Sequence, residues 1–241
     1  MSDILYKAAA TVNKLSNYSY ELHLANRKRT VIISLISNNP KDFVHISGLS
    51  HLADSPIISG NNTSERIRIF KNILNKHITF ADIQSSQFLY SPMSPSINPY
   101  TGKEYTIYDR IEMMSRFENI LDNAYTGQFY KWDRSRTSVL KNKHQYRNVS
   151  INCDYALSIP DLISKSRAYV FMYQTNKTSS KNEPIKLNIC SSFLDSSDLT
   201  SGQISPYTIL QETKINSHTG ESIVLYKHKT YNISDPISPH P

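Results

Sequence analysis

Tyr169-Val170-Phe171-Met172-Tyr173 is the stretch that decides the fold class, because a short run of β-branched and aromatic residues is typical of a buried strand. Similar short runs follow and precede it in the second half of the chain, at 138–140, 149–153, 185–190, 208–210 and 223–226. Turn-rich spacers such as 176–180 and 217–220 separate several of them. This spacing predicts an antiparallel meander of short strands.

The first half of the chain has mainly helical spacing. Apolar residues recur at helical intervals over 3–15, which predicts an amphipathic helix. A second helix is predicted over 61–77, because several N-cap residues precede Glu65 in its first turn. A third is predicted over 105–124, with Gly127 in the C-terminal position.

The predicted fold class is α+β, with N-terminal helices packed on a twisted C-terminal antiparallel sheet. We expect one domain over 1–233, helix-rich over 1–128 and strand-rich over 129–233, followed by a frayed tail at 234–241. Other elements are expected in the helix-rich part: strands at 18–24 and 30–36 and a proline-containing loop at 84–101.

Composition and charge limit the classes of function. The net charge is +7 and the isoelectric point is about 9.2, which favours binding to polyanions such as RNA or simply aids solubility. There is no apolar run long enough to cross a bilayer, so we expect a cytoplasmic protein without membrane contact. Cys153 and Cys190 stand alone, which argues against a zinc site or a disulfide framework.

The chemistry-bearing candidate is His45, which lies in an apolar run that ends with Gly48. A histidine held in place can transfer a proton near neutral pH. The alternative is that His45 is a hydrogen-bonded core residue. The chain has no glycine-rich phosphate loop, HExxH or GxSxG pattern, so metal-free chemistry by His, Lys, Arg and Tyr is the remaining enzymatic hypothesis.

The segment His45-Ile46-Ser47-Gly48-Leu49 resembles the His-Leu-Thr-Gly-Leu signature of a family of phage-associated nuclease-like domains, although Ile46 and Ser47 replace Leu and Thr. That family belongs to the superfamily of barnase, EndoU, colicin and RelE-type ribonucleases. The resemblance continues in Cys153-Asp154-Tyr155-Ala156-Leu157 and in Pro206-Tyr207-Thr208-Ile209-Leu210. It implies a ribonuclease-like α+β fold.

The resemblance also implies a function: metal-independent cleavage of RNA by a toxin or effector, through transesterification to a 2',3'-cyclic phosphate. His45 would be the acid or base, and a lysine would stabilise the phosphorane. The implied catalytic residues are His45, Lys71, Thr208 and Lys229. The implied substrate-binding residues are Arg66, Tyr155, Tyr169, Tyr207 and Lys227, with Tyr169 stacking a base. No metal or cofactor is expected. The expected partners are RNA, with tRNA as one candidate, and an inhibitor or antitoxin protein.

Two other hypotheses remain open. The chain could be a non-catalytic, phage-associated binding module, regulatory or anti-defence, that holds a protein or nucleic acid. It could also be a structural accessory of a mobile element. His45 discriminates between the nuclease and the binding module, because a catalytic role predicts that His45→Ala abolishes cleavage with little loss of binding.

Overall fold

The computed structural model describes residues 3–26, 31–58, 62–97, 104–133, 138–142, 145–148, 152–161, 163, 166–176, 183–195 and 203–232. Within these residues the α-helices are α1 (Ile4–Leu15), α2 (Phe43–Ile46), α3 (Thr63–Leu74), α4 (Ile107–Met114) and α5 (Phe117–Leu121). The strands are β1 (Tyr18–Ala25), β2 (Val31–Ser37), β3 (Pro92–Ile97), β4 (Glu104–Thr106), β5 (Gln128–Trp132), β6 (Ser138–Asn142), β7 (Gln145–Asn148), β8 (Tyr155–Asp161), β9 (Ser166–Gln174), β10 (Ile185–Asp195), β11 (Gln203–Asn216) and β12 (Ser222–Lys227).

Seven of the described strands close into a barrel in the order β1-β2-β10-β9-β8-β5-β11. The ring closes because β1 pairs with β11 as well as with β2. β2 and β10 run parallel, and the other neighbouring pairs are antiparallel. β12 extends the sheet outside the ring by pairing with the second half of β11.

The predicted fold class is therefore wrong in its sheet. The strands do not form an open, C-terminal antiparallel sheet under a helical layer, and the ribonuclease-like arrangement is not found. The N-terminal strands β1 and β2 belong to the same barrel as the C-terminal ones. The physical reason is that an open sheet leaves two edges with unpaired backbone groups, and pairing β1 with β11 satisfies both.

The helices and one side of the barrel strands share the main core. Leu22 of β1, Leu157 of β8 and Val170 of β9 are fully buried there together with side chains from the helices. Because side chains alternate along a strand, the neighbouring residues face the other side. Ala156, Tyr169 and Phe171 form a second, smaller cluster on that side with Trp132 and Cys153.

Most of the predicted helices and strands are found, but the sequence pattern did not predict β4, β7 or the barrel strand β5. Three further details differ. The helix predicted over 105–124 is broken into α4 and α5, which begin after β4. The loop predicted over 84–101 contains β3, and its last residues lie outside the described part. Gly127 has a φ of −99° and no left-handed turn. A Cβ there would lie 2.3 Å from the Ser158 carbonyl oxygen, so close approach to β8 requires this glycine.

Residues 149–151 of the strand predicted over 149–153 lie outside the described residues, and residues 152 and 153 are not in a strand. The predicted tail at 234–241 also lies outside the described residues. Among the helices that are described, none combines the length and the apolar character that a membrane-spanning helix needs.

Candidate functional site

His45 lies in α2, a single helical turn whose apolar residues hold it against the core. Phe43, Val44 and Ile46 are fully buried, and the Phe43 ring lies 5.2 Å from the ring of Phe70 on α3. His45 is exposed on the opposite side of the turn. The core interpretation of His45 is therefore wrong: the apolar residues around His45 fix the backbone and leave the imidazole accessible.

Gly48 ends α2 and brings the chain close to Arg110. The residue has a φ of +81°, a left-handed conformation that favours glycine. A Cβ at this position would lie 3.3 Å from Cδ of Arg110. Ser47 supports the turn, because its hydroxyl donates to the Phe43 carbonyl oxygen at 2.7 Å. Its side chain is fully buried, so Ser47 serves the local structure.

Arg110 is a buried cation without a partner among the described residues. It lies on α4 and is 6% exposed, and its Nε has no hydrogen-bond acceptor there. Burial lowers the pKa of the guanidinium to about 10, so it remains charged at neutral pH. An unpaired buried charge is costly to folding, and a bound anion would compensate that cost.

Arg66 on α3 adds a second cation to the same place. It is half-buried, and its Nε also has no acceptor in the described part of the chain. The N-terminus of α3 fixes its position through a capping box, in which Asn62 Oδ1 accepts from Glu65 N at 2.9 Å. The nearest acidic residue along the chain is thus engaged in capping the helix.

Gly48 places Arg110 beside the turn that carries His45 and His51, and the electrostatics of His45 agree with this proximity. Partial burial lowers the pKa of His45, and the charges of Arg66, Arg110 and His51 lower it further, whereas Asp42 opposes them. Partial burial and then Arg110 lower the pKa of His51. We call His45, His51, Arg66 and Arg110 the cationic cluster.

Asp42 is the carboxylate that the structure places next to the cationic cluster. It precedes α2, and its Oδ2 accepts from Asn188 Nδ2 on β10 at 3.2 Å. Asn188 also donates to the Tyr173 hydroxyl at 3.1 Å. These contacts tie the beginning of α2 to the barrel wall. The cluster itself is carried by α2, α3, α4 and the turn that contains His51.

The other predicted site residues are dispersed. Tyr155 and Tyr207 lie together beside Phe129, with ring distances of 5.5 Å and 6.3 Å to it. Both are mostly buried, and burial raises the pKa of Tyr155 to about 12. Tyr169 is 1% exposed and packs on Phe171, so its ring is enclosed in this conformation.

The predicted lysines and Thr208 are exposed. Lys71 lies on α3 beyond Arg66, and Thr208 pairs with Ala25 across the β1–β11 ladder. Lys227 is the last residue of β12, and Lys229 follows the strand. Of the predicted residues, the structure thus brings His45 together with Arg66, and Tyr155 together with Tyr207.

Sequence reasoning missed Arg110 and His51. Arg110 had a detectable signal, because it lies on the apolar stripe of its helix, next to Ile111 and three residues after Ile107. A charged residue on that stripe needs a partner or a function. His51 follows Gly48 by three residues, and only the turn geometry places it near His45.

A separate cleft of about 240 Å³ lies between α5 and the end of β8. Its cation, Arg116, donates from Nη2 to Asp161 Oδ2 at 2.5 Å, so the charge is paired. No residue of the cationic cluster lines this cleft. Within the described residues, no group of three or more His, Cys, Asp or Glu side chains could hold a metal ion.

Comparison with known families agrees with the resemblance in the His45 segment. The model of the family phage-Barnase-EndoU-ColicinE5/D-RelE like nuclease4 matches residues 4–229. The chain therefore belongs to this phage-associated family of nuclease-like proteins, as its sequence predicted. No curated protein and no solved structure matches the chain.

Proposed function

We propose that the protein is a metal-independent endoribonuclease whose active site is the cationic cluster. The observation that carries this proposal is the buried, unpaired Arg110 beside the exposed His45. A phosphodiester would supply the negative counter-charge that the guanidinium groups of Arg110 and Arg66 do not find among the described residues. The family membership supports a nuclease, and the choice of RNA as the substrate is part of the proposal.

The proposed reaction is transesterification. The 2'-oxygen of RNA loses its proton and attacks the adjacent phosphorus, the bond to the 5'-oxygen breaks, and the products carry a 2',3'-cyclic phosphate and a 5'-hydroxyl. His45 transfers a proton in this reaction. Arg66 and Arg110 hold the phosphate and stabilise the charge of the phosphorane, a role for which guanidinium groups are well suited.

Other predicted residues extend the proposed site. Lys71 is exposed on the same helix as Arg66, where it can contact a neighbouring phosphate. Thr208 on β11, Lys227 at the end of the paired strand β12 and Lys229 just after β12 are exposed, and they remain candidates for contacts to a longer RNA such as tRNA. An inhibitor protein for such a toxin would need an acidic surface that covers the cluster.

The test is incubation of the purified protein with total RNA and with tRNA in EDTA, with analysis of the cleaved ends. We expect cleavage with cyclic-phosphate ends, and we expect His45→Ala to abolish it. The matched control is His77→Ala, because His77 is also exposed and lies outside the cluster. Intact RNA after incubation with the folded wild-type protein would contradict the proposal for these substrates.

The second candidate function is a binding module that holds a polyanion without cleaving it. The same unpaired guanidinium groups favour it, because they account for binding without a chemical step. In that case RNA binding weakens with salt and depends on Arg66 and Arg110. Neither the wild type nor His45→Ala cleaves the RNA. A binding titration in EDTA with both arginine variants separates the two functions.

A further inference from the structure

His51 and His45 flank one tight turn. The Gly48 N–H donates to the His45 carbonyl oxygen at 3.0 Å, and the His51 N–H donates to the Gly48 carbonyl oxygen at 3.0 Å. The left-handed backbone of Gly48 lies between these two hydrogen bonds. Both imidazoles are exposed, and the charge of Arg110 acts on both. The turn therefore presents two proton-transfer groups to the place where Arg110 can hold an anion.

We propose that His51 is a second catalytic residue, the general acid that protonates the leaving 5'-oxygen, while His45 is the base. This inference rests on the proposed function, because it assigns a role within the same RNA cleavage reaction.

The step balances with these two groups. Neutral His45 accepts the proton of the 2'-hydroxyl, and the 2'-oxygen forms a bond to phosphorus. The bond from phosphorus to the 5'-oxygen breaks, and the imidazolium of His51 gives its proton to that oxygen. The histidines end in exchanged protonation states, and proton exchange with water restores them.

The surroundings of the two histidines favour this division of roles. Asp42 acts on His45 and stabilises the imidazolium that forms when His45 accepts a proton. Arg66, Arg110 and His51 are the cations that act on His45. Among the described residues, Arg110 is the charged group that acts on His51, and no carboxylate is found beside it in that role. A histidinium among cations is a strong proton donor, and the bound phosphate keeps it protonated before the reaction.

The decisive experiment changes the leaving group. A short RNA that spans the mapped cleavage position is prepared with the ordinary 5'-oxygen and with a bridging 5'-sulfur, since a thiolate leaves without being protonated. We expect His51→Ala to lower cleavage of the oxygen substrate by about 100-fold or more. On the sulfur substrate it is expected to stay within about tenfold of the wild type, whereas His45→Ala loses activity on both.

The pH dependence gives a second readout. With His45 neutral and His51 protonated in the reactive form, the wild-type rate on the oxygen substrate follows a bell. The pKa values of both histidines are lowered in the free protein, so the bell of kcat/KM lies at lower pH than it would for two unperturbed imidazoles. On the sulfur substrate the decrease at high pH should disappear for the wild type as well as for His51→Ala, because a thiolate leaves without a proton. His77→Ala is the control and follows the wild type on both substrates.

Two results would overturn the inference while leaving the proposed nuclease intact. One is that His51→Ala cleaves the oxygen substrate at the wild-type rate. The other is equal loss on both substrates, which would mean that His51 only positions or tunes its neighbours. If the wild type cleaves no RNA, the proposed function fails first and the role of His51 fails with it. Equal urea midpoints of the variants exclude unfolding as the cause.

Discussion

Arg110 and Lys214 are two buried cations that differ in whether acidic side chains pair with them. They are 6% and 8% exposed. Nζ of Lys214 donates to Glu118 Oε1 at 2.7 Å and to Asp122 Oδ1 at 2.9 Å, and it lies over two tyrosine rings. Arg110 has an Nε without an acceptor among the described residues. One cation holds elements of the fold together, and the other is left available.

The difference is visible in the proton affinities. Burial acts to lower the pKa of Lys214, but the hydrogen bonds and charges of Glu118 and Asp122 outweigh it and raise the pKa. Burial alone acts on Arg110 and lowers its pKa to about 10. A charge that the fold satisfies is structural, whereas a buried charge that the fold leaves unsatisfied indicates a ligand site. The following predictions test this distinction.

The largest expected effect is the loss of cleavage activity in Arg110→Met. Loss of the guanidinium removes charge stabilisation of the phosphorane, so the cleavage rate should fall by about 100- to 1000-fold. Methionine fills similar space without an unpaired charge, so the free energy of unfolding should be unchanged or higher. Cleavage rates and urea unfolding of the same preparations check both. A clear loss of stability with normal cleavage would mean that Arg110 is a structural cation.

Lys214→Met is the matched substitution on the other side of the comparison. It leaves Glu118 and Asp122 without their shared cation, but both carboxylates are partly exposed and Glu118 keeps Lys14 as a partner. The free energy of unfolding should therefore fall by about 1–2 kcal/mol. The cleavage rate per folded molecule should stay near that of the wild type, because the contacts of Lys214 within the described residues are to Glu118, Asp122 and two tyrosines, all outside the cationic cluster. Urea unfolding and active-fraction measurements test this. Stability equal to the wild type would refute the structural role of Lys214.

Glu212 sharpens the comparison, since it is a fully buried carboxyl group near the ion pair between Lys214 and Asp122. Burial raises its pKa to about 7, against an ordinary value of 4.5. The folded protein therefore binds more protons than the unfolded chain between these values. The stabilisation is complete below pH 4.5 and is lost as the pH rises through about 7. We expect a loss of about 3 kcal/mol between pH 4.5 and pH 8.

Glu212→Gln should remove this pH dependence. Glutamine keeps the acceptor for the Tyr125 N–H, which lies 2.8 Å from Glu212 Oε2, and it carries no charge at any pH. Urea unfolding of both proteins at pH 5, 6, 7 and 8 measures the effect. A wild-type stability that rises over this range would contradict the assignment.

The smallest expected effect is a difference in cleavage rate between alanine variants of two glycines with similar backbone conformations. Gly48 and Gly220 have φ values of +81° and +74°, so alanine at either site should cost about 1 kcal/mol of stability. At Gly48 the new Cβ also meets Arg110, whereas at Gly220 nothing lies within 4 Å. We expect Gly48→Ala to slow cleavage several-fold and Gly220→Ala to leave it unchanged. Equal cleavage by both variants would show that the position of Arg110 is not critical.

Much of the local structure was predictable from the sequence, and so was the family. The apolar spacing in α1 and α3 and the capping residues Asn62 and Glu65 gave helices close to the observed bounds. The short motif around His45 led to the correct family. These signals are local, because they depend on residues within one or two turns of each other.

The sequence by itself determined where most helices and strands form and which histidine stands at a glycine turn. Only the tertiary structure decided that β1 closes the barrel against β11, about two hundred residues away, and that Arg110 lies unpaired under Gly48. The physical reason is that a strand can satisfy its backbone with any suitable partner. Likewise, the hydropathy of a buried arginine does not tell whether a carboxylate or an anion from outside will meet its charge.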